Sequence, residues 1–251
     1  MKNEANEPMK LNYLVTGANG PLGEAIAMQL IANGHKVLVT SRASSQRYRD
    51  LGQSVLHRDG IDLLEPEALD TLREACASYF QGGFHIINCT GHYKGQEEYH
   101  LTDVNESFKI FASNYLAVQN TATTLVPLQI ERGGGHFIAF SCNSVQYNYP
   151  QMAPFTASKA ALESLIKSLA NEYFGRGLVT TAFRLATLRT DHELQVKPYG
   201  DHANWLELNE VAEFVATYSS QPSLLHSGNV MNLFHYSDTF FSKSYFERIR
   251  K

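Results

Sequence analysis

Apolar residues fall along this chain in two alternating rhythms: short runs that suit strands buried on both faces, and longer stretches in which they recur every three or four positions. Leu11 to Thr16 is a run of the first kind, about Gly20 to Asn33 a stretch of the second, and Lys36 to Thr40 another run. Together they predict a βαβ unit. The alternation continues with a strand near Phe84 to Asn88, a long helix around Asn105 to Val126, a strand at His136 to Ser141 and a helix from Pro154 to Tyr173. A strand at Thr180 to Arg184, a helix near Leu208 to Tyr218 and a strand near Asn229 to Leu233 complete it. Strands separated by helices imply a doubly wound parallel sheet in three α/β/α layers. The polar stretch from about 190 to 206, with its proline and glycine, is the candidate lid.

The 251 residues are enough for one full core, and no repeat or Pro/Ser-rich linker divides them, so a single domain over 1–251 is expected. Twenty-one Lys and Arg against 25 Asp and Glu give a formal charge of −4, which argues against a nucleic-acid partner. Cys76, Cys89 and Cys142 are odd in number and lack C-x-x-C spacing, which argues against a disulfide framework or a metal site and fits a reducing cytoplasm. Residues 1–10 are polar and read as a flexible N-terminus rather than a leader. No apolar stretch approaches the roughly 18 residues of a membrane helix. The aromatic segment Phe234 to Phe246 reads as core cover or a subunit contact.

Chemistry enters with Thr16-Gly17-Ala18-Asn19-Gly20-Pro21-Leu22-Gly23, which follows an apolar strand and opens a helix. In that context Gly17 permits a tight turn, Gly20 lets backbone approach a pyrophosphate, and Gly23 lets the helix pack close to the sheet. An acidic residue at the end of the second strand would accept from the ribose 2′-hydroxyl and indicate NAD(H). Ser41-Arg42 stands there instead, with Arg47 and Arg49 nearby, a pairing that suits a 2′-phosphate and favours NADP(H) over NAD(H).

With these motifs in order, the chain resembles the short-chain dehydrogenase/reductase family over nearly its whole length. Asp62-Leu63 is similar to the family's adenine-contacting pair, Asn88-Cys89-Thr90-Gly91 to its Asn-Asn-Ala-Gly motif, and Asn114 to its helix asparagine. Phe155-Thr156-Ala157-Ser158-Lys159 resembles the family's Tyr-x-Ala-Ser-Lys, with the lysine kept and phenylalanine at the tyrosine position. Cys142, thirteen residues earlier, falls where the family has a serine, and Thr190 where a threonine contacts the nicotinamide amide. The resemblance implies a Rossmann-type fold. It implies a cofactor site on Gly17, Asn19, Gly20, Leu22, Gly23, Ser41, Arg42, Asp62, Leu63, Asn88, Gly91, Lys159 and Thr190, and a homodimer or homotetramer paired through the helices around Asn105–Val126 and Pro154–Tyr173.

In the family mechanism a tyrosine hydroxyl protonates the substrate carbonyl, which Phe155 cannot do. A positioned acid contributes about 10² to 10⁴-fold, so losing it costs roughly 3 to 5 kcal/mol of transition-state stabilisation. Cys142 is also a weaker donor than serine. Asn114 and Lys159 remain. Ser144, Tyr147 and Tyr149, between Cys142 and Phe155, are candidate substitute donors, whereas His92, Tyr93, His192 and Trp205 read as structural or surface residues. The expected activity is NADP(H)-dependent reduction of a small-molecule carbonyl or conjugated alkene at an atypical site. The alternative is a non-catalytic NADP(H)-binding sensor or partner protein.

Overall fold

The computed structural model describes residues 10–48, 51–94, 98–198, 202 and 205–234. Arg49 and most of the aromatic C-terminal segment lie outside them. The chain alternates as expected: β1 (Asn12–Thr16), α1 (Pro21–Ala32), β2 (Lys36–Thr40), β3 (Val55–Arg58), α2 (Pro66–Tyr79) and β4 (His85–Asn88). Then come α3 (Val104–Phe111), a π-helical turn at Ala112–Leu116, α4 (Ala117–Glu131), β5 (Gly135–Cys142), α5 (Ser144–Tyr147) and α6 (Ala153–Glu172). β6 (Leu178–Leu185), α7 (Asp191–Val196), α8 (Leu208–Ser219) and β7 (Asn229–Leu233) follow. The strands form one parallel seven-stranded sheet in the order β3-β2-β1-β4-β5-β6-β7.

Successive strand residues point to opposite faces, and the core divides accordingly. Leu14, Leu38, Ile86 and Phe137 join Leu72, Leu125, Leu162 and Ile166 of α2, α4 and α6. Their neighbours Val15, Val37, Ile87 and Ile138 join Ile26 and Leu30 of α1 and Val211 and Val215 of α8. Strands so covered read as continuous apolar runs, which is why most were legible.

Three features depart from the expectation. β3 and α2 were not foreseen. The long helix runs on past Pro127 to Glu131, because Leu128 and Gln129 of its last turns are buried, and it is broken internally by the π turn. Short helices α5 and α7 occupy segments read as loop and lid. Among the described residues no helix is long and apolar enough to cross a membrane. The chain reverses its winding between β1 and β4, and at such a switch point the carboxyl ends of the strands open a crevice for a ligand.

Candidate active site

The glycine loop lies at that crevice, where Thr16 at the end of β1 sits beside Asn88 at the end of β4. Gly17 turns the chain at φ +67°, and a Cβ there would stand 2.9 Å from the Cys89 carbonyl carbon. The Gly20 amide closes the turn onto the Gly17 carbonyl at 3.0 Å, and a Cβ on Gly23 would reach 2.5 Å from the same oxygen. Pro21 then opens α1 without a side-chain cap, leaving first-turn amides open to an anion. The Thr16 hydroxyl is buried without a partner among the described residues. Leu22 packs beneath the turn on the α1 side of the core, and Asn19 Nδ2 donates to the Ala43 carbonyl at 2.8 Å, tying the loop to the segment after β2. A backbone cradle this tight suits a pyrophosphate.

After β2 the buried Ser41 hydroxyl donates to the Ala43 carbonyl at 2.7 Å and lies 2.9 Å from His57 Nε2. Ser41 therefore braces the loop, while Arg42 is exposed and carries no ion pair among the described residues. Arg47 is paired with Glu24, so it is not a second free cation. Asp62 accepts from the Leu64 amide at 3.0 Å, and the carbonyl of buried Leu63 accepts from Asn120 Nδ2 of α4 at 2.9 Å.

Asn88 governs the turn beyond β4. Its Oδ1 accepts from the Thr90 amide at 3.1 Å and from the Thr90 hydroxyl, while Nδ2 donates to Thr121 Oγ1 at 3.2 Å. Gly91 follows because a Cβ there would stand 2.7 Å from Asn114 Oδ1 and 3.3 Å from Lys159 Nζ. Asn114, fully buried in the π turn, grips the next residue: Oδ1 accepts from the His92 amide at 3.2 Å and Nδ2 donates to the His92 carbonyl at 2.7 Å. Such turns recur at functional sites, since they displace one residue from the helical ladder.

Lys159 reaches this cluster from α6. Its ammonium donates to the Phe140 carbonyl at 2.8 Å, and burial lowers its pKa to about 8 even though the Cys142 and Cys89 thiols pull it upward. The Phe155 ring, one helical turn back, lies 5.7 Å from Nζ. Cys142 Sγ donates to Asn143 Oδ1 at 3.3 Å and takes the Ser144 amide at 3.5 Å.

Of the candidate donors, Ser144 buries its hydroxyl without a partner among the described residues. The Tyr149 hydroxyl accepts a long 3.5 Å bond from Asn143 Nδ2, and its ring packs on Tyr147, which packs in turn on Phe234. Thr190 caps α7, accepting from the Glu193 amide at 3.1 Å. A phenol that the sequence reading set aside touches Phe155: Tyr93 meets its ring edge-on, with centroids 5.0 Å apart at 82°. Lys197, held by Glu193 at 2.8 Å, stands 5.6 Å from the Tyr93 centroid. His92 pairs with Glu106 at 3.5 Å, His192 is exposed, and Trp205 packs on His202. Among the described residues no group of His, Cys, Asp or Glu could hold a metal ion.

A family model described as short chain dehydrogenase matches residues 12–198. The chain is 25% identical over 230 residues to the NADP-dependent 3-hydroxy acid dehydrogenase YdfG of Salmonella typhi, covering 86% of this chain and 92% of that one. It is 26% identical over 216 residues to an uncharacterized oxidoreductase of Staphylococcus aureus, covering 83% and 90%. Among solved structures, the closed form of serine dehydrogenase complexed with NADP+ superposes with a TM-score of 0.83 at 20% identity, over 92% of this chain and 97% of that chain.

Proposed function

The chain belongs to the short-chain dehydrogenase family and is an oxidoreductase of that type, and from this premise we propose that it uses NADP(H) to reduce a carbonyl or conjugated alkene of a small molecule at an altered site. The observation that carries the reading is the meeting of Gly91, Asn114 and Lys159 beside a glycine cradle that a Cβ would fill. Gly17, Asn19, Gly20, Leu22 and Gly23 would hold the pyrophosphate, Arg42 the 2′-phosphate with Ser41 shaping its loop, and Asp62 and Leu63 the adenine. Asn88 and Gly91 would border the nicotinamide end, Lys159 its ribose and Thr190 its carboxamide. The reduced nicotinamide, when bound, supplies a hydride. The NADP dependence of the Salmonella relative and the NADP+ of the serine dehydrogenase support the choice of cofactor.

In this reading Phe155 stands in place of the family's tyrosine and Cys142 in place of its serine, so Lys159 has no phenol at position 155 to acidify and is left to orient the ribose. That substitution also favours a second reading, a protein that binds NADP(H) without turnover. An exposed apolar strip on Tyr99, Leu101, Val104 and Phe108, on and before α3, is assigned to a second copy of the chain.

Fluorescence titration with both cofactors tests the cofactor choice. NADPH is expected to bind more tightly than NADH, and Arg42→Ala to weaken NADPH by at least about tenfold, the worth of one charge-assisted bond. Equal affinities, or no loss on substitution, would sink it.

A further inference from the structure

We propose that Tyr93 is the proton donor of this site, taking over from the ring of Phe155 against which it stands. The inference rests on the oxidoreductase reading above and names the group that reading lacks. Three observations carry it. First, Tyr93 is a phenol in ring contact with Phe155, edge-on with centroids 5.0 Å apart, which brings it beside the side chain that stands at the family's tyrosine position. Second, that hydroxyl makes no hydrogen bond among the described residues, and it lies within electrostatic range of Cys142, of Glu193 on α7 and of Lys197 just after that helix. Third, its backbone is anchored: the reciprocal bonds between Asn114 and His92 fix the residue before it, and Asn88 fixes the turn before that.

As a carbonyl carbon gains hydride, the C=O π pair moves onto oxygen. There an O–H bond forms as the Tyr93 O–H bond breaks. Lys197 beside the ring stabilises the phenolate left behind. Tyr93 is 37% exposed, enough for solvent to return the proton. Burial, opposed by Lys197, pushes the phenol's pKa up, so the donor stays protonated across the neutral range and the reduction rate should fall only in alkali.

The test uses the full chain with NADPH and two ketone probes, ethyl acetoacetate and camphorquinone. Tyr93→Phe keeps the ring contact and should lower kcat by about 10² to 10⁴-fold with NADPH affinity unchanged. Placing 3-fluorotyrosine at position 93 supplies a readout besides turnover: its ¹⁹F resonance should shift when NADP+ and a ketone are added. Its ionisation should move to the same lower pH as the alkaline limb of the rate profile. Full activity of Tyr93→Phe in an enzyme that turns over overturns the assignment alone, as does loss on Tyr149→Phe in its place. Inertness of every form with both ketones, together with a silent ¹⁹F resonance, overturns the oxidoreductase reading and this assignment with it.

Discussion

Glu163 of α6 and Arg184 of β6 form a two-armed ion pair, Nε to Oε1 and Nη2 to Oε2, both at 2.7 Å. Glu163 is buried, and its Oε1 also accepts from the Ser141 hydroxyl at 2.6 Å, so one carboxylate ties the helix bearing Lys159 to β5 and β6 at once. The hydrogen bonds raise the Arg184 pKa further above its ordinary value.

Removing one partner strands a buried charge, whereas replacing both with apolar groups need not. Arg184→Ala, which strands the buried Glu163 carboxylate, is expected to cost about 3 to 5 kcal/mol in urea unfolding, and Glu163→Met with Arg184→Met to recover most of it. Equal losses in the single and double variants would mean that the pair is not what is being measured.

Much of this fold was legible, because strands covered on both faces leave continuous apolar runs. Lys36–Thr40 and Asn229–Leu233 fall at the positions read from sequence. β3 escaped because it is a four-residue edge strand with half-exposed side chains and an exposed end, and so leaves no run. The glycine loop and Lys159 were legible because each depends on local spacing. Tyr93 was not, since what singles it out is contact with Phe155, one strand and several helices further along the chain. Glu163 also escaped, because its partners Ser141 and Arg184 are brought to it only by the sheet.

At the opposite ends of the strands, Tyr13 packs between His35 and His85, and the His136 amide donates to His85 Nδ1 at 3.1 Å. Burial lowers the His35 pKa, brings His85 to about 4 and His136 to about 3. A histidine held neutral when folded but titrating near 6.5 when unfolded gives the unfolded chain more protons below 6.5. Stability is therefore full above that pH and drains away as pH falls toward 4. At pH 5, His85 and His136 should each withdraw roughly 2 kcal/mol, a large share of a typical domain's stability. Urea midpoints should fall steadily from pH 7 to 5, and less steeply in His85→Gln with His136→Gln; a flat profile would contradict the burial argument.

The apolar strip before and along α3 has Phe108 70% exposed. If a second copy covers it, light scattering at micromolar concentration should give at least a dimer mass, and Phe108→Glu should give a monomer. A monomeric unaltered chain would exclude that interface.

Whether the chain is an NADPH-consuming enzyme is tested most directly by following the hydride itself. NADPH deuterated at nicotinamide C4 is incubated with the protein and a panel of small ketones and enones, and the products are weighed by mass spectrometry. The account predicts one deuterium on the former carbonyl or alkene carbon of at least one product, with far less transfer from equally deuterated NADH. Tight NADPH binding with no deuterium in any product would contradict it and leave the chain a cofactor-binding protein.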